Sequence, residues 1–466
     1  MLKKKKVIKI FTLLFILLAG YILIHTMIGN NKFQKLITFL QLDEKQRFFI
    51  KKYFFPYKLI DQQQQKMFDQ NVKLSEQKNL INKLGPYLSY LEIDKKESGT
   101  PIKLTSDVVK LSNNKILNKF RLNSGFYDGI HELLPGSGYI DFYNDKILVM
   151  SSKGIIAYTD DLNKEELVQI KNNINEFINI NQFKKYKAAS IKDILIFNQK
   201  IFVSYTHEIK KNCWNTSLVY GDVNFKEIYF EELFTSEKCL VPQNMWSSGG
   251  RIVKLGKNYI LLSVGEYLVS HLAQEVNTIN GKIIKININN NEHEIISMGH
   301  RNPQGLFFDK TNNFILETEH GPQGGDEINL IKIDVIKDGK IQNYGWPISS
   351  YGEHYGGKSA KSNIENYKKY PLYKSHSEHG FIEPLKSFQP SIGISEIEKI
   401  GENEYVVSSL KDKALYFFSL DVQKNIIDLK RVEVFERIRD IKFKNQKLYL
   451  FLETSPSIGM IDFTKL

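Results

Sequence analysis

GLFFDKTNNFILETEHG, from Gly305 to Gly321, reads as an apolar strand, a polar turn and a second apolar strand. The turn, Lys310 to Asn313, carries the asparagines that short hairpin loops favour. Five other stretches have the same form. They are YIDFYNDKILVMSSKGIIAY from Tyr139, DILIFNQKIFVSYT from Asp193, RIVKLGKNYILLSVGE from Arg251, EIEKIGENEYVVSSLKDKALYFFSL from Glu396 and DIKFKNQKLYLFLETSPSIGMIDF from Asp440. A third strand usually follows. Most of the spacings are about 45 to 60 residues, the period of a repeated small sheet, and an insertion over residues 340 to 390 lengthens one of them. A single such sheet cannot cover both its faces, so its neighbours must do it. Six units with room for four strands each predict an all-β fold, a six-bladed β-propeller over residues 102–466.

The stretch before the repeats is different in kind. Ile10 to Ile28 is almost wholly apolar and follows Lys3, Lys4, Lys5, Lys6 and Lys9. Nineteen residues at the α-helical rise span a bilayer's hydrocarbon layer. The lysines favour the cytoplasmic side, which places the rest of the chain across the membrane. Residues 1–31 are therefore expected to be cytoplasmic lysines and a transmembrane signal-anchor. The rival, a cleaved signal peptide, would have a shorter apolar run ending at small residues, whereas Tyr21 to Ile24 continue it past Ala19-Gly20. Residues 32–101, rich in Gln, Lys and Leu with apolar residues at helical spacing, predict a short helical stalk.

The chain of 466 residues carries 64 Lys+Arg against 52 Asp+Glu, a net charge of +12. Five of those excess charges lie in the first nine residues, and no basic stripe or RNA-reading motif follows, so a nucleic-acid partner is not expected. Cys213 and Cys239 are the only cysteines, lack metal-ligand spacing and fall in the part placed outside the cytoplasm, which predicts a disulfide. No dinucleotide glycine motif, HExxH, CxxC or GxSxG occurs.

The chemistry is concentrated between Gly299 and Tyr355: GHRNPQG at Gly299–Gly305, EHGPQGGDEIN at Glu319–Asn329, NYGWP at Asn343–Pro347 and SYGEHYGG at Ser350–Gly357. A loop rich in Gly and Pro exposes carbonyl oxygens, and Asp326 and Glu327 add carboxylates, the kinds of oxygen that calcium accepts. Arg301, Lys411, Arg437 and Arg439 recur at equivalent places in different copies. Brought to one axial cleft they would repel one another unless an anion satisfied them, and an anion with several carboxylates or phosphates is the natural counterpart.

These motifs, with AQEVNTINGKI at Ala273–Ile283, the SLK of Ser409–Lys411 and the RIRD of Arg437–Asp440, stand in the order of the soluble glucose/sorbosone dehydrogenase family. Residues 130–466 resemble these pyrroloquinoline quinone-dependent aldose sugar dehydrogenases. The resemblance implies that Arg301, Asn302, Tyr355, Lys411, Arg437 and Arg439 hold the cofactor. It implies that Gly321 and Pro322 offer carbonyls to a calcium that polarises the quinone, and that Glu327 and Tyr344 hold a calcium bracing the loop. Oxidation of an aldose C1 hydroxyl to a lactone would follow, with Arg301 and His320 as catalytic residues and a membrane electron acceptor as partner. The propeller would work at the outer face of the membrane, in the periplasm if the source is bacterial.

Two departures stand against this. The family's general base is a His ahead of a Gly-Arg turn; here the turn is Ser248-Gly249-Gly250-Arg251, and Trp246 or Ser247 takes the base position. Neither can serve, since indole has no basic nitrogen and a Ser hydroxyl needs a base of its own. Pro135-Gly136-Ser137-Gly138 replaces a stretch where the family has a cofactor-touching Gln. His320, His300 and Glu266 are the candidates for a replacement base. The alternative is a catalytically impaired propeller that binds sugar, cofactor or a protein partner.

Overall fold

In the computed structural model each strand–turn–strand copy becomes the inner half of one sheet. The described residues are 63–77, 80, 101–122, 136–178, 181–182, 188–241, 245–334 and 341–464. The chain separates into two compact units, Met1–Gln77 and Lys78–Leu466. In the first, residues 63–77 form a helix with exposed side chains, inside the stretch read as a stalk. The apolar run at 10–28 lies outside the described residues, among which no helix is long and apolar enough to cross a membrane.

The second unit contains six sheets, antiparallel except where the two-residue strands Glu227–Ile228 and Gln342–Asn343 add parallel pairings. Blade I begins with Gly138–Tyr143, blade II with Ile191–Phe197, blade III with Gly249–Leu255, blade IV with Pro303–Asp309, blade V with Ile394–Lys399 and blade VI with Ile438–Lys444. These six first strands neighbour one another in a closed ring around the axis. Blade VI joins the two ends of the propeller: Ser457–Asp462 pairs with Ile116–Arg121, bringing Ser457 opposite Arg121 and Ile461 opposite Leu117. Thr105–Lys110 then adds the outer strand, and Pro101–Lys103 pairs with the outer strand of blade I. The strands from Pro101 to Arg121 were not among the six copies, because they supply outer strands alone.

The alternation of apolar residues fills the spaces between blades. Ile194, Ile201 and Val203 of blade II and Ile252, Ile260 and Leu262 of blade III belong to one buried cluster. Each such side chain contributes about 1.5–3 kcal/mol by leaving water. Cys213 and Cys239 form the expected disulfide across 26 residues, next to a backbone bridge between Trp214 and Leu240.

The first residues of the six copies, Tyr139, Asp193, Arg251, Gly305, Glu396 and Asp440, meet at the axis. Arg251 is buried there, with Asp440 at 2.9 Å, Glu396 at 3.1 Å and Asp193 at 3.2 Å. It also donates to the carbonyls of Gln304 and Arg439, both at 2.6 Å, and its guanidinium lies 5.1 Å from the Tyr139 ring centre. The acids in turn accept backbone N–H groups of adjacent blades: Asp193 from Ile252, Asp440 from Ile140 and Glu396 from Leu306. Burial works against the charge of Arg251, but Glu396, Asp193 and Asp440 hold its pKa above the ordinary value. Burial pushes Asp193 up to about 7 against the pull of Arg251.

Candidate active site

A cleft of about 520 Å³ opens at one end of this axis. Its wall includes Arg301, Asn302, His320, Tyr355, Arg437 and Arg439, six of the seven residues expected to bind cofactor or take part in catalysis. They come from four places: the loop entering blade IV, the turn after that blade's second strand, the insertion over residues 340 to 390, and the start of blade VI. Lys192, Gln304, Tyr139 and Arg251 also line it, and no carboxylate does among the described residues. That combination of size and charge suits a small polyanion.

The arginines are held by acids placed behind them. Glu453 accepts from Arg439 Nε at 2.6 Å and from Arg437 Nε at 3.2 Å. Burial would raise the Glu453 carboxyl, but Arg439 and Arg437 hold it below the usual carboxylate value. Arg439 also donates to Gln304 Oε1 at 2.9 Å. Glu453 was not foreseen. It lies one residue past the second strand of blade VI, Lys447–Leu452, the place His320 takes after Phe314–Glu319 in blade IV, and this equivalence was the available signal.

Lys411, expected in the pocket, does not line this cleft. Its neighbour Leu410 does, while Lys411 faces a separate hollow with Pro390, Asp412 and Arg431. The N–H groups of Lys411 and Asp412 both bond the Ile392 carbonyl, at 3.0 and 2.9 Å, which pins the turn with the Lys side chain exposed.

The Ser-Gly-Gly-Arg turn is fixed by sterics. Gly250 has φ +112°, and a Cβ there would stand 2.3 Å from Lys192 Cβ, so only glycine fits. Trp246 is 63% exposed at the cleft mouth and leaves the cleft open, whereas Ser247 is buried in the wall.

None of the three candidate bases is placed as a free base in the cleft. His300 is fully enclosed, with Ser297 Oγ at 2.9 Å and Glu319 at 3.4 Å. Glu266 is enclosed as well and does not line the cleft; burial raises its carboxyl against the pull of Arg301. His320 lines the cleft, but its tautomer is set by Asn302. The Asn302 Oδ1 accepts from Gly249 N and Gln304 Nε2, so its Nδ2 faces His320 Nδ1 at 3.3 Å and donates to it. Burial lowers the His320 pKa, which keeps the ring neutral and puts its proton on Nε2. His320 is therefore a hydrogen-bond donor in this arrangement.

All four residues expected at calcium line one small closed cavity of about 10 Å³, beside Arg301. That is room for one ion or water. Of the expected ligands, the Gly321 carbonyl accepts from Arg301 Nη1 at 2.9 Å and the Pro322 carbonyl from Gly325 N at 3.2 Å. The Tyr344 carbonyl accepts from His376 Nδ1 at 2.9 Å, and the Tyr344 hydroxyl donates to Leu330 at 2.6 Å. Glu327 keeps its carboxylate in the wall, together with the buried Glu319 and with Ser349, whose Oγ has no hydrogen-bond partner. Two carboxylates and an orphaned hydroxyl fit a hard cation.

A propeller whose axial mouth gathers guanidinium groups, with no carboxylate in its described wall, has a hub suited to a small anionic molecule. Residues 191–460 match the family model described as Glucose / Sorbosone dehydrogenase, and the chain belongs to that family. It is 27% identical over 286 residues to the aldose sugar dehydrogenase YliI of Escherichia coli K12, covering 56% of this chain and 72% of that one. It is 37% identical over 106 residues to quinoprotein glucose dehydrogenase B of Acinetobacter calcoaceticus, covering 19% of this chain and 20% of that one. Among solved structures, the soluble aldose sugar dehydrogenase of Escherichia coli in its apo form has a TM-score of 0.58 at 21% identity, over 70% of this chain and 95% of that one. The PQQ-bound aldose sugar dehydrogenase of Streptomyces coelicolor has a TM-score of 0.52 at 18% identity, over 71% and 99%. These two structures share the propeller fold.

Proposed function

We propose that the propeller is a pyrroloquinoline quinone-dependent aldose dehydrogenase acting at the outer face of a membrane. One observation carries this reading: Arg301, Arg437 and Arg439 face a single cleft whose described wall holds no carboxylate. The cofactor is a tricarboxylate, and its charge would offset three like charges brought together. When bound, the quinone would accept a hydride from the sugar's C1 as the C1 hydroxyl loses its proton, and the aldose becomes a lactone.

Arg439 and Arg437, pinned by Glu453, would grip the carboxylates. Arg301 stands across from them with its guanidinium 5.4 Å from the Trp346 ring centre. His320, donating from Nε2, would place a hydrogen bond on oxygen that gains charge. Calcium would sit in the cavity behind Arg301, and no proton or hydride passes through it here. The apolar run at 10–28 would keep the domain beside electron carriers in the membrane.

The second reading, binding without turnover, is favoured by the absence of a free base in the described wall. A general base usually contributes two to four orders of magnitude in rate. Reconstitution of the full chain with the quinone and calcium, followed by dye reduction on a panel of aldoses, decides between them. Dye bleaching supports the dehydrogenase; tight quinone uptake without bleaching supports a cofactor-binding propeller without turnover; no uptake removes the dehydrogenase and favours a propeller that binds a protein partner.

A further inference from the structure

Glu319 and Glu327 stand directly opposite each other on adjacent strands of blade IV. Like charges in that position repel, and here both residues are buried, at 3% and 4% exposure. They line the small cavity with Ser349, which is 1% exposed and has an unpartnered Oγ. Arg301 lines it too, and its Nη1 donates to the carbonyls of His320 and Gly321, at 3.1 and 2.9 Å. The wall is otherwise oxygen-rich, with Ser350 and the Gly321–Pro322 and Gly325 backbone. Glu319 has other engagements: its Oε2 accepts the backbone N–H of Arg301 at 2.5 Å, and its Oε1 faces Asn329 Nδ2 at 3.2 Å and His300 Nδ1 at 3.4 Å. A carboxylate has about four lone-pair sites, so these contacts leave about one for a metal.

We infer that Glu319 is a calcium ligand, closing the cavity around one ion with Glu327 and Ser349 Oγ, and that its bond to the Arg301 backbone ties calcium occupancy to cofactor binding. The ion cancels the repulsion of the cross-strand pair. It also fixes Glu319, which fixes the main chain of Arg301 at the cleft. By linkage, calcium then tightens quinone binding and the quinone tightens calcium by the same factor. The second half of this inference rests on the cofactor reading; the first does not.

The test uses the full chain free of quinone, with terbium as the calcium surrogate and Trp346, which lines the cavity, as the sensitiser. Sensitised emission that calcium displaces is expected in the wild type. Glu319→Gln should weaken terbium binding at least tenfold, and Glu319→Asp less, with melting curves recorded for both. Glu317→Gln, outside the cavity wall, should bind as the wild type does. Equal binding by Glu319→Gln, or equal loss in Glu317→Gln, overturns the assignment. The coupling is then read as the quinone dissociation constant in calcium against chelator. A ratio of about fivefold or more in the wild type that collapses in Glu319→Gln supports it, and a ratio of one overturns it. Failure of the wild type to bind quinone at all removes the cofactor reading, leaving the terbium result to stand or fall alone.

Discussion

Arg251 and Asp440 lie 189 residues apart in sequence and 2.9 Å apart at the propeller axis. Asp193 and Glu396 complete the ring of acids around the same guanidinium. Removing the guanidinium would leave three buried carboxylates with Lys442 as their nearby cation, and breaking a buried ion pair costs about 3–5 kcal/mol. Arg251→Met should therefore lower the unfolding free energy by about that amount. A loss under about 1 kcal/mol in urea titration would show that the cluster is not needed to hold the blades.

Arg439 bridges Glu453 and Gln304 and faces the cleft. Arg439→Gln keeps a shorter, neutral hydrogen-bonding group and removes the charge. A hydrogen bond to a charged group is worth about 1.5–3 kcal/mol, so quinone affinity should fall roughly tenfold to a hundredfold. Equilibrium dialysis with the quinone measures this directly, and unchanged affinity would place the anion elsewhere.

The tautomer of His320 separates donor from base. Glutamine can donate a hydrogen bond and cannot take a proton at neutral pH. If His320 acts as a donor, His320→Gln should retain far more dye-reducing activity than His320→Ala. If it were the base, both variants would lose activity alike. Because burial lowers its pKa, its ionisation should not contribute to the rate profile above its ordinary value near 6.5.

Asp309 links blade IV to blade V. It accepts from Lys399 Nζ at 2.7 Å and Tyr405 OH at 2.5 Å. Burial alone would raise its carboxyl, but Lys399, Tyr405 and Asn312 hold it at about 2. With the folded value below the unfolded one, Asp309 stabilises the fold above pH ~4, and that contribution is lost as the pH falls toward 2. Urea midpoints of wild type and Asp309→Asn between pH 5 and 2 should converge. Parallel curves across that range would show that Asp309 does not carry the acid sensitivity.

The strand–turn–strand period was legible because alternation and turn residues are local, and it located the first strand of every blade. The hairpin of Thr105–Lys110 and Ile116–Arg121 was not legible as part of blade VI, since Ile116–Arg121 joins it through a strand more than 300 residues away, Ser457–Asp462. The arginines of the cleft could be named from repeated positions. Lys411 was named on the same ground and falls on the other side of its turn, because the N–H groups of Lys411 and Asp412 are both tied to the Ile392 carbonyl. Glu453, the acid that holds two of the arginines, and Glu319, opposite Glu327, needed the pairing of strands to be seen.

Local sequence determined six hairpins, their order, and which residues carry charge at each turn, because side-chain alternation and loop chemistry act over a few residues. Only the closed ring decided which of those charges meet. Tyr139, Asp193, Arg251, Glu396 and Asp440 occupy one equivalent position in five copies, yet their contact depends on the curvature that brings blade VI against blade I. Buried charges are held by partners from other blades, and that choice of partner is a property of the assembled hub.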